Sequence, residues 1–271
     1  MTDEEFRLLR DRINEYCGID FDADARLLIE RRLAPRLEAL GCADYSEYWR
    51  HLRYSPAGRD ELEEIVERVT TNETYFFREQ YQLDALQQEI LPSLHRLRPR
   101  GRRLSIWSAG CATGEEAYTV AILVLETGLF HGWDVRVFGN DVSRRVVTHA
   151  RKGIYGRASF RQTDDAKLRR WFRPIGDNHQ VRDEVKALVT FGQINLLERE
   201  MLALLGSVDV VLCRNVLMYF DPAARRRVVD LLHQKLAPGG FLLLGHSESL
   251  LNLSTAFELC HLQNDMVYRK P

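Results

Sequence analysis

The stretch Leu104-Ser105-Ile106-Trp107-Ser108-Ala109-Gly110-Cys111-Ala112-Thr113-Gly114-Glu115-Glu116 decides the fold. A short apolar run over 104–109 gives way to a small-residue turn and then to an apolar helical segment from Ala117 to Leu125, which is the strand, loop and helix unit of an open α/β sheet. The rhythm continues in VRVFGND (135–141), VDVVLCRN (208–215) and GFLLLGHS (240–247), and helical patterns follow the first two of these. Residues 157–188 break it. A short RRWF piece, turn signals at Pro174 and Gly176 to Asn178, and the alternating stretches HQVRDEV and ALVTF predict a small antiparallel β insertion beside the main sheet.

Upstream the pattern is helical. Phe6, Leu9, Ile13 and Tyr16 recur at helix spacing behind a Thr2 and Glu5 capping box, with an end expected near Gly18. A second helix carries Leu28, Ile29, Leu33, Leu37 and Leu40 and stops at Gly41, with a kink or break at Pro35. Asp44 caps a third with Tyr45, Tyr48 and Leu52 on one face, and a fourth carries Leu62, Ile65, Val66 and Val69. The division predicted is an all-α domain over 1–70, a linking segment over 71–84, and an α/β domain over 85–271 with the β subdomain at about 157–188.

The chain has 271 residues, with 38 Lys+Arg against 39 Asp+Glu and 45% hydrophobic residues. Charge so balanced gives no chain-wide case for nucleic acid or an anionic membrane surface. No apolar run approaches the roughly 18 residues of a membrane span, and the acidic start MTDEEFRLLRDR does not resemble a secretory leader, so a cytoplasmic protein without membrane insertion is expected. The five cysteines, Cys17, Cys42, Cys111, Cys213 and Cys260, show no CxxC spacing, so reduced thiols and no metal are expected. Within the second helix, Arg26, Arg31, Arg32 and Arg36 face only Glu30, and the residues alone favour a solvated face over a binding surface.

Ligands of open α/β sheets bind beyond the carboxyl ends of the strands. After the first strand, the glycines of the 108–116 loop let a ligand approach the backbone closely. The loop lacks the lysine of a nucleotide-phosphate loop, and Glu115 and Glu116 would repel a polyphosphate, so a neutral or cationic ligand fits better. Asp141, ending the second strand, is placed to hydrogen-bond a ribose diol, which suggests an adenosine-containing ligand. Dinucleotide-binding proteins and plain helix caps share that pattern, and the residues leave those readings open. The polar ends of QINLL (193–197) and CRNVLMYF (213–220), and the junction segment TTNETYFFR (70–78), are further places where polar groups gather. Alone, the first two are more often a satisfied loop residue or a cap than a ligand contact, and the third reads as an N-cap with Phe76 and Phe77 in the core, although its polar cluster also lies where a cleft would be built.

Taken together, these segments resemble the CheR family of chemotaxis receptor methyltransferases across essentially the whole chain. TNETYFFR (71–78) is similar to the signature TNxTxFFR, WSAGCATGEEAYT (107–119) to the glycine loop with TGEE, GNDVS (139–143) to the acidic second-strand motif, INLL (194–197) to NLL, and CRNVLMYF (213–220) to CRNVxxYF. The resemblance implies a Rossmann-like S-adenosylmethionine-dependent methyltransferase domain with a small antiparallel β insertion, preceded by the all-α domain. It implies esterification of glutamate side chains on chemoreceptor cytoplasmic helices by a monomer recruited to receptor arrays, with S-adenosylhomocysteine as product. It also implies cofactor contacts from Asn72, Thr74, Arg78, Glu115, Asp141, Asn195, Leu196, Arg214 and Asn215, with Arg78 and Tyr219 beside the transferred methyl as catalytic residues. Arg26, Arg31, Arg32 and Arg36 become expected receptor contacts, because in this family the basic helix faces acidic receptor helices. Family members that grip a receptor-terminal pentapeptide have a glycine-rich loop in the β subdomain. The corresponding stretch here, Arg173-Pro174-Ile175-Gly176-Asp177-Asn178-His179, is shorter with one glycine, so tether-independent binding is expected. Three alternatives carry weight: another methyl acceptor, a cofactor-sensing module without turnover, and, more distantly, a nicotinamide enzyme, which the lack of G-x-G-x-x-G after the first strand disfavours.

Overall fold

The caps that the sequence predicts over its first seventy residues are made in the computed structural model, which describes residues 1–97, 101–203 and 205–271. The Thr2 hydroxyl accepts the Glu5 N–H at 3.3 Å while the Glu5 carboxylate accepts the Thr2 N–H at 2.7 Å, starting α1 (Asp3–Cys17), and Gly18 ends it in the left-handed region at φ 74°. A 3-10 turn precedes α2 (Arg26–Leu40). The expected break at Pro35 does not occur: the proline lies exposed in a continuous helix, where it forfeits one N–H donor. Asp44 caps α3 (Tyr45–Tyr54) by accepting the Glu47 N–H at 2.8 Å, and α4 (Gly58–Val69) follows. Leu9, Ile13, Ile29, Leu33, Leu52, Leu62 and Ile65 are buried among these helices. So is Glu61, which accepts a forked pair from Arg36 at 3.0 and 2.5 Å and the Tyr48 hydroxyl at 2.6 Å.

The chain divides into two compact units, residues 1–71 with 219–225, and residues 72–218 with 226–271. The return segment joins the first unit through backbone pairing: the Asp20 N–H donates to the Tyr219 carbonyl at 2.9 Å, and Ile19 bridges Phe220.

The second unit begins with α5 (Gln80–Ala85), a π turn (Leu86–Ile90) and α6 (Leu91–Leu97). The alternating core runs β1 (Arg103–Ala109), α7 (Glu115–Thr127), β2 (Asp134–Asp141), α8 (Arg144–Lys152), β3 (Ile154–Tyr155), α9 (Asp165–Trp171), β4 (Phe172–Ile175), β5 (Asn178–Val181), α10 (Asp183–Lys186) and β6 (Val189–Gln193). It ends with α11 (Arg199–Ala203), β7 (Val208–Cys213), α12 (Pro222–Lys235), β8 (Leu236–Leu244), β9 (Glu258–His261) and β10 (Met266–Arg269). Among the described residues, seven strands form one sheet in the order β6-β2-β1-β7-β8-β10-β9, and three form a second in the order β3-β5-β4.

The first five strands of the large sheet are parallel, and the central β1, β7 and β8 are largely buried and apolar, as strands covered on both faces must be, while the edge strand β6 buries only Val189. Two details depart from expectation. ALVTF is not part of the insertion: Val189 to Gln193 pair in parallel with Val137 to Asp141, because a short β-branched run carries no signal of which sheet it will join. The small sheet starts at Ile154, where β3 pairs with Gln180 and His179, three residues before the expected start at 157. The β9–β10 hairpin closes the other edge. Because β1 pairs with β2 on one side and β7 on the other, the strand order reverses between β1 and β7, and ligands of such sheets bind beyond the carboxyl ends of the strands there.

Candidate functional site

Asn140 and Asp141 tie the loops after three strands together. The Asn140 carbonyl accepts the N–H groups of Gly110 and Cys111 at 2.9 and 2.8 Å, while its buried side chain accepts Trp107 Nε1 at 2.7 Å and donates to the Ile194 carbonyl at 2.9 Å. The Asp141 carboxylate accepts the Ala112 N–H at 2.9 Å and the Ser143 N–H at 3.0 Å, and the Val142 N–H also supports it. Burial raises its pKa against the lowering effect of these donors. At 8% exposure it still reaches the surface, and a carboxylate has about four lone-pair sites, so acceptor capacity remains for an incoming hydroxyl. Asn195 and Leu196 lie just beyond, in a turn where Asn195 Oδ1 accepts the Leu197 N–H at 3.0 Å.

The loop glycines are required by packing and by backbone conformation. A Cβ on Gly110 would stand 2.6 Å from Val216 Cγ2, and one on Gly114 would stand 2.7 Å from the Ala150 Cβ and 2.9 Å from Phe191 Cζ. Their φ values are +73° and +93°. Both therefore serve the turn and its packing.

The TNETYFFR segment is clamped by its aromatic pair. Phe76 packs against Tyr155, Phe160 and Phe172 at ring-centroid distances of 4.9, 5.1 and 4.8 Å, and its N–H donates to the Ser159 carbonyl at 2.9 Å. The Phe77 N–H donates to Thr119 Oγ1 at 3.2 Å. Phe77 and Glu79 both adopt φ 59°, a left-handed conformation that non-glycine residues hold only when their surroundings fix them. Arg78 lies between these two. Its Nη1 donates to the Glu73 carbonyl at 3.0 Å, and the side chain keeps 28% of its surface exposed, so it can meet an anion.

Arg214 fixes that segment from below. Buried at the end of β7, it donates through Nε to Gln82 Oε1 at 2.6 Å, through Nη1 to Glu116 Oε2 at 3.0 Å, and through Nη2 to the Arg78 carbonyl at 2.8 Å and Glu79 Oε2 at 2.9 Å. Burial pulls its pKa down, but Glu116 and Glu79 more than offset that, and the net shift is upward. With four of its five N–H donors directed onto protein groups, Arg214 organises the site. Glu115 is similarly engaged, accepting the Thr113 hydroxyl at 2.6 Å and the Ser159 hydroxyl at 2.9 Å; burial, its largest influence, raises its pKa.

Asn215 follows in the left-handed region at φ 58°. A residue that the sequence reading missed holds it: Glu248 accepts the N–H groups of Asn215, Val216, Met218 and Gly245 at 2.7, 2.8, 3.2 and 2.8 Å. The signal was Gly245 in GFLLLGHS, where a Cβ would stand 2.7 Å from the Asn215 N and Nδ2. Glu248→Ala orphans these donors, and we expect a loss of about 2–5 kcal/mol in stability, measured by urea unfolding of the full chain. A loss below about 0.5 kcal/mol would show that the loop holds its shape without the carboxylate.

Thr74 lies half-buried in the clamped segment, and Asn72 begins the second unit. Tyr219 groups with the first unit and is 40% exposed. Within that unit the basic stripe is not a row of free cations. Arg36 is directed onto buried Glu61, Arg32 donates to the Val69 carbonyl at 2.8 Å, and Arg26 pairs with Asp3. Arg31 is exposed and makes no hydrogen bond or ion pair among the described residues. Cys111 and Cys213 are buried, and burial pushes both thiols well above the ordinary range, so neither is a reactive thiolate.

Comparison with known proteins covers the whole arrangement. Residues 72–266 match the family model described as CheR methyltransferase, SAM binding domain, and residues 4–70 match CheR methyltransferase, all-alpha domain. The chain is similar to chemotaxis protein methyltransferase 2 of Vibrio cholerae, with 34% identity over 273 residues that cover 100% of this chain and 94% of that protein. Chemotaxis protein methyltransferase 1 of Pseudomonas aeruginosa is 32% identical, with 98% of this chain and 97% of that protein covered. The probable biofilm formation methyltransferase WspC of Pseudomonas aeruginosa is 36% identical over 93% of this chain and 57% of that protein.

Proposed function

The chain belongs to the CheR methyltransferase family, and from that premise we propose that it forms methyl esters on glutamate side chains of chemoreceptor cytoplasmic helices, in adaptation of chemosensory signalling. Its second unit is a Rossmann-like S-adenosylmethionine-dependent methyltransferase domain carrying a small antiparallel sheet. The observation that carries the reading is the fixed placement of the cationic Arg78 segment and the Asp141 acceptor within one unit, the first clamped by Arg214 and the second at the carboxyl end of β2, beside β1.

The donor set fits the cofactor. Asp141 supplies an anionic acceptor suited to a ribose diol, Asn195 and Leu196 border the same strand ends, and Arg78 supplies a cation for a carboxylate. S-adenosylmethionine, when bound, supplies an electrophilic sulfonium methyl. The protein needs no general base, since a glutamate carboxylate with a reference pKa of about 4.3 is already ionised at neutral pH. What the residues do is bind and orient, which in well-aligned systems is worth up to about 7–11 kcal/mol. Arg78 positions the carboxylates, Asn72, Thr74 and Asn215 line the cofactor, and Tyr219 forms a hydrogen-bonding wall beside the methyl. If Arg78→Ala and Tyr219→Phe both turned over like the wild type at saturating cofactor, these two roles would be lost.

Receptor docking falls to Arg31 on α2, with Arg26, exposed and ion-paired to Asp3, on the same helix. Arg31→Glu should raise the receptor KM and weaken its salt dependence while cofactor affinity stays constant; an unchanged KM would return Arg31 to a solvated face. The β4–β5 hairpin turns tightly at Gly176-Asp177, with Ile175 registered against Asn178, which leaves no glycine-rich loop there and supports tether-independent binding. Measurable affinity for a receptor C-terminal pentapeptide would contradict this. No described helix is long and apolar enough to cross a membrane, and we place the protein in the cytoplasm, brought to receptor arrays by its substrate. The likeness to WspC favours, as a second reading, the same chemistry on a receptor serving an output other than motility.

A further inference from the structure

Resting on that reading, we propose that Arg161 is a substrate-binding residue that takes the carboxylate of the incoming receptor glutamate beside Arg78, and that Glu73 holds the place until substrate arrives. Two guanidinium groups gather around one tyrosine ring. Arg161 lies with its Cζ 3.7 Å from the Tyr75 ring centroid, and Arg78 Cζ lies 5.8 Å from the same centroid. A single glutamate joins them: Arg161 Nη2 meets Glu73 Oε1 at 2.8 Å, and Arg78 Nη1 donates to the Glu73 carbonyl at 3.0 Å.

The placement is built into the fold. Arg161 follows Phe160, whose ring stacks on Phe76 at 5.1 Å and 9°, and the Phe76 N–H is bonded to the Ser159 carbonyl. The backbone that carries Arg161 is therefore locked to the backbone that carries Arg78, although 83 residues separate them in the chain (161 − 78). The Glu73 carboxylate is the same chemical group as the proposed substrate. Its pairing with Arg161 is exposed, at 70% and 42% of the two side chains, and a pair so open to water is held weakly. An incoming glutamate can exchange with it at little cost, and the planar fork of an arginine suits a carboxylate better than a lysine does.

The charge change in the reaction assigns the effect to binding. The carboxylate loses its charge as the ester forms, so the attraction to Arg161 is stronger before transfer than at the transition state, and an interaction of that kind lowers KM without speeding the chemistry. The neutral ester is held less tightly, which favours its release.

The test measures initial methylation rates against receptor concentration for the full chain and its Arg161→Ala, Arg161→Lys and Glu73→Gln variants, using receptor-containing membranes, with S-adenosylmethionine affinity by calorimetry. Arg161→Ala should raise the receptor KM roughly twofold to fivefold, the range of one exposed pair, and by more than it lowers kcat, with cofactor affinity constant. Arg161→Lys should recover part of that loss. Glu73→Gln should lower the receptor KM, because it removes the internal competitor. If Arg161 and Glu73 formed only a structural clamp, both variants would fail in the same direction, and that result, or an unchanged KM in Arg161→Ala, overturns the proposal. Absence of any base-labile methylation by the wild-type chain would overturn the reading of the site itself and the proposal with it.

Discussion

Arg214→Met is expected to lower unfolding stability by about 3–5 kcal/mol, which is the cost of removing one partner from a buried ionic network. The reason is geometric. Methionine fills the volume but leaves Glu79 and Glu116, at 15% and 14% exposure, without their cation, and leaves Gln82 and the Arg78 carbonyl without their donor. Arg214→Lys is predicted to fail nearly as badly, since a single ammonium cannot reach four acceptors arranged around a planar fork. Thermal unfolding should show a fall on the order of 10 °C for the α/β unit. A methionine variant as stable as the wild type would mean that Glu79 and Glu116 find solvent or each other without strain, and Arg214 would lose its place as the organiser of the Arg78 segment.

Asp141→Asn is expected to weaken S-adenosylmethionine binding by about ten- to hundredfold, matching the roughly 1.5–3 kcal/mol that hydrogen bonds to a charged group contribute. The substitution keeps the side-chain shape but turns an amide NH2 toward backbone N–H groups of Ala112, Ser143 and Val142, so it also loosens the loop after β1. Titration calorimetry measures the affinity, and the melting temperature without cofactor separates the two effects. Affinity unchanged within a factor of two would remove Asp141 from the cofactor site.

Much of this was legible in the chain because local signals agreed with the tertiary result. The Thr2 and Glu5 box, Gly18, Gly41 and Asp44 each name a helix end that the structure forms with those residues, and the apolar runs ending at Ala109, Asp141 and Cys213 became adjacent parallel strands. Other parts depend on partners distant in sequence. Val189 to Gln193 read as insertion because nothing in a five-residue apolar run says that β2 is its neighbour. The short β9 and β10 strands carry no strong period, and Glu258 to His261 is mostly exposed. For the site, the sequence places Arg214 at a strand end but not the direction of its guanidinium, which three carboxylate or amide side chains from α5, its N-terminal cap and α7 determine. The direction of Arg36 on α2 was not legible for the same reason, since Glu61 turns it inward from twenty-five positions away.

The central claim is that this chain esterifies receptor glutamates, and the most direct test is transfer of labelled methyl from S-adenosylmethionine to receptor-containing membranes, scored as methanol released by base. The account predicts base-labile label with the wild-type chain and its loss in Arg78→Ala at saturating cofactor. Cofactor binding without base-labile label on any receptor would contradict it, and would point instead to another methyl acceptor or to a sensing role without turnover.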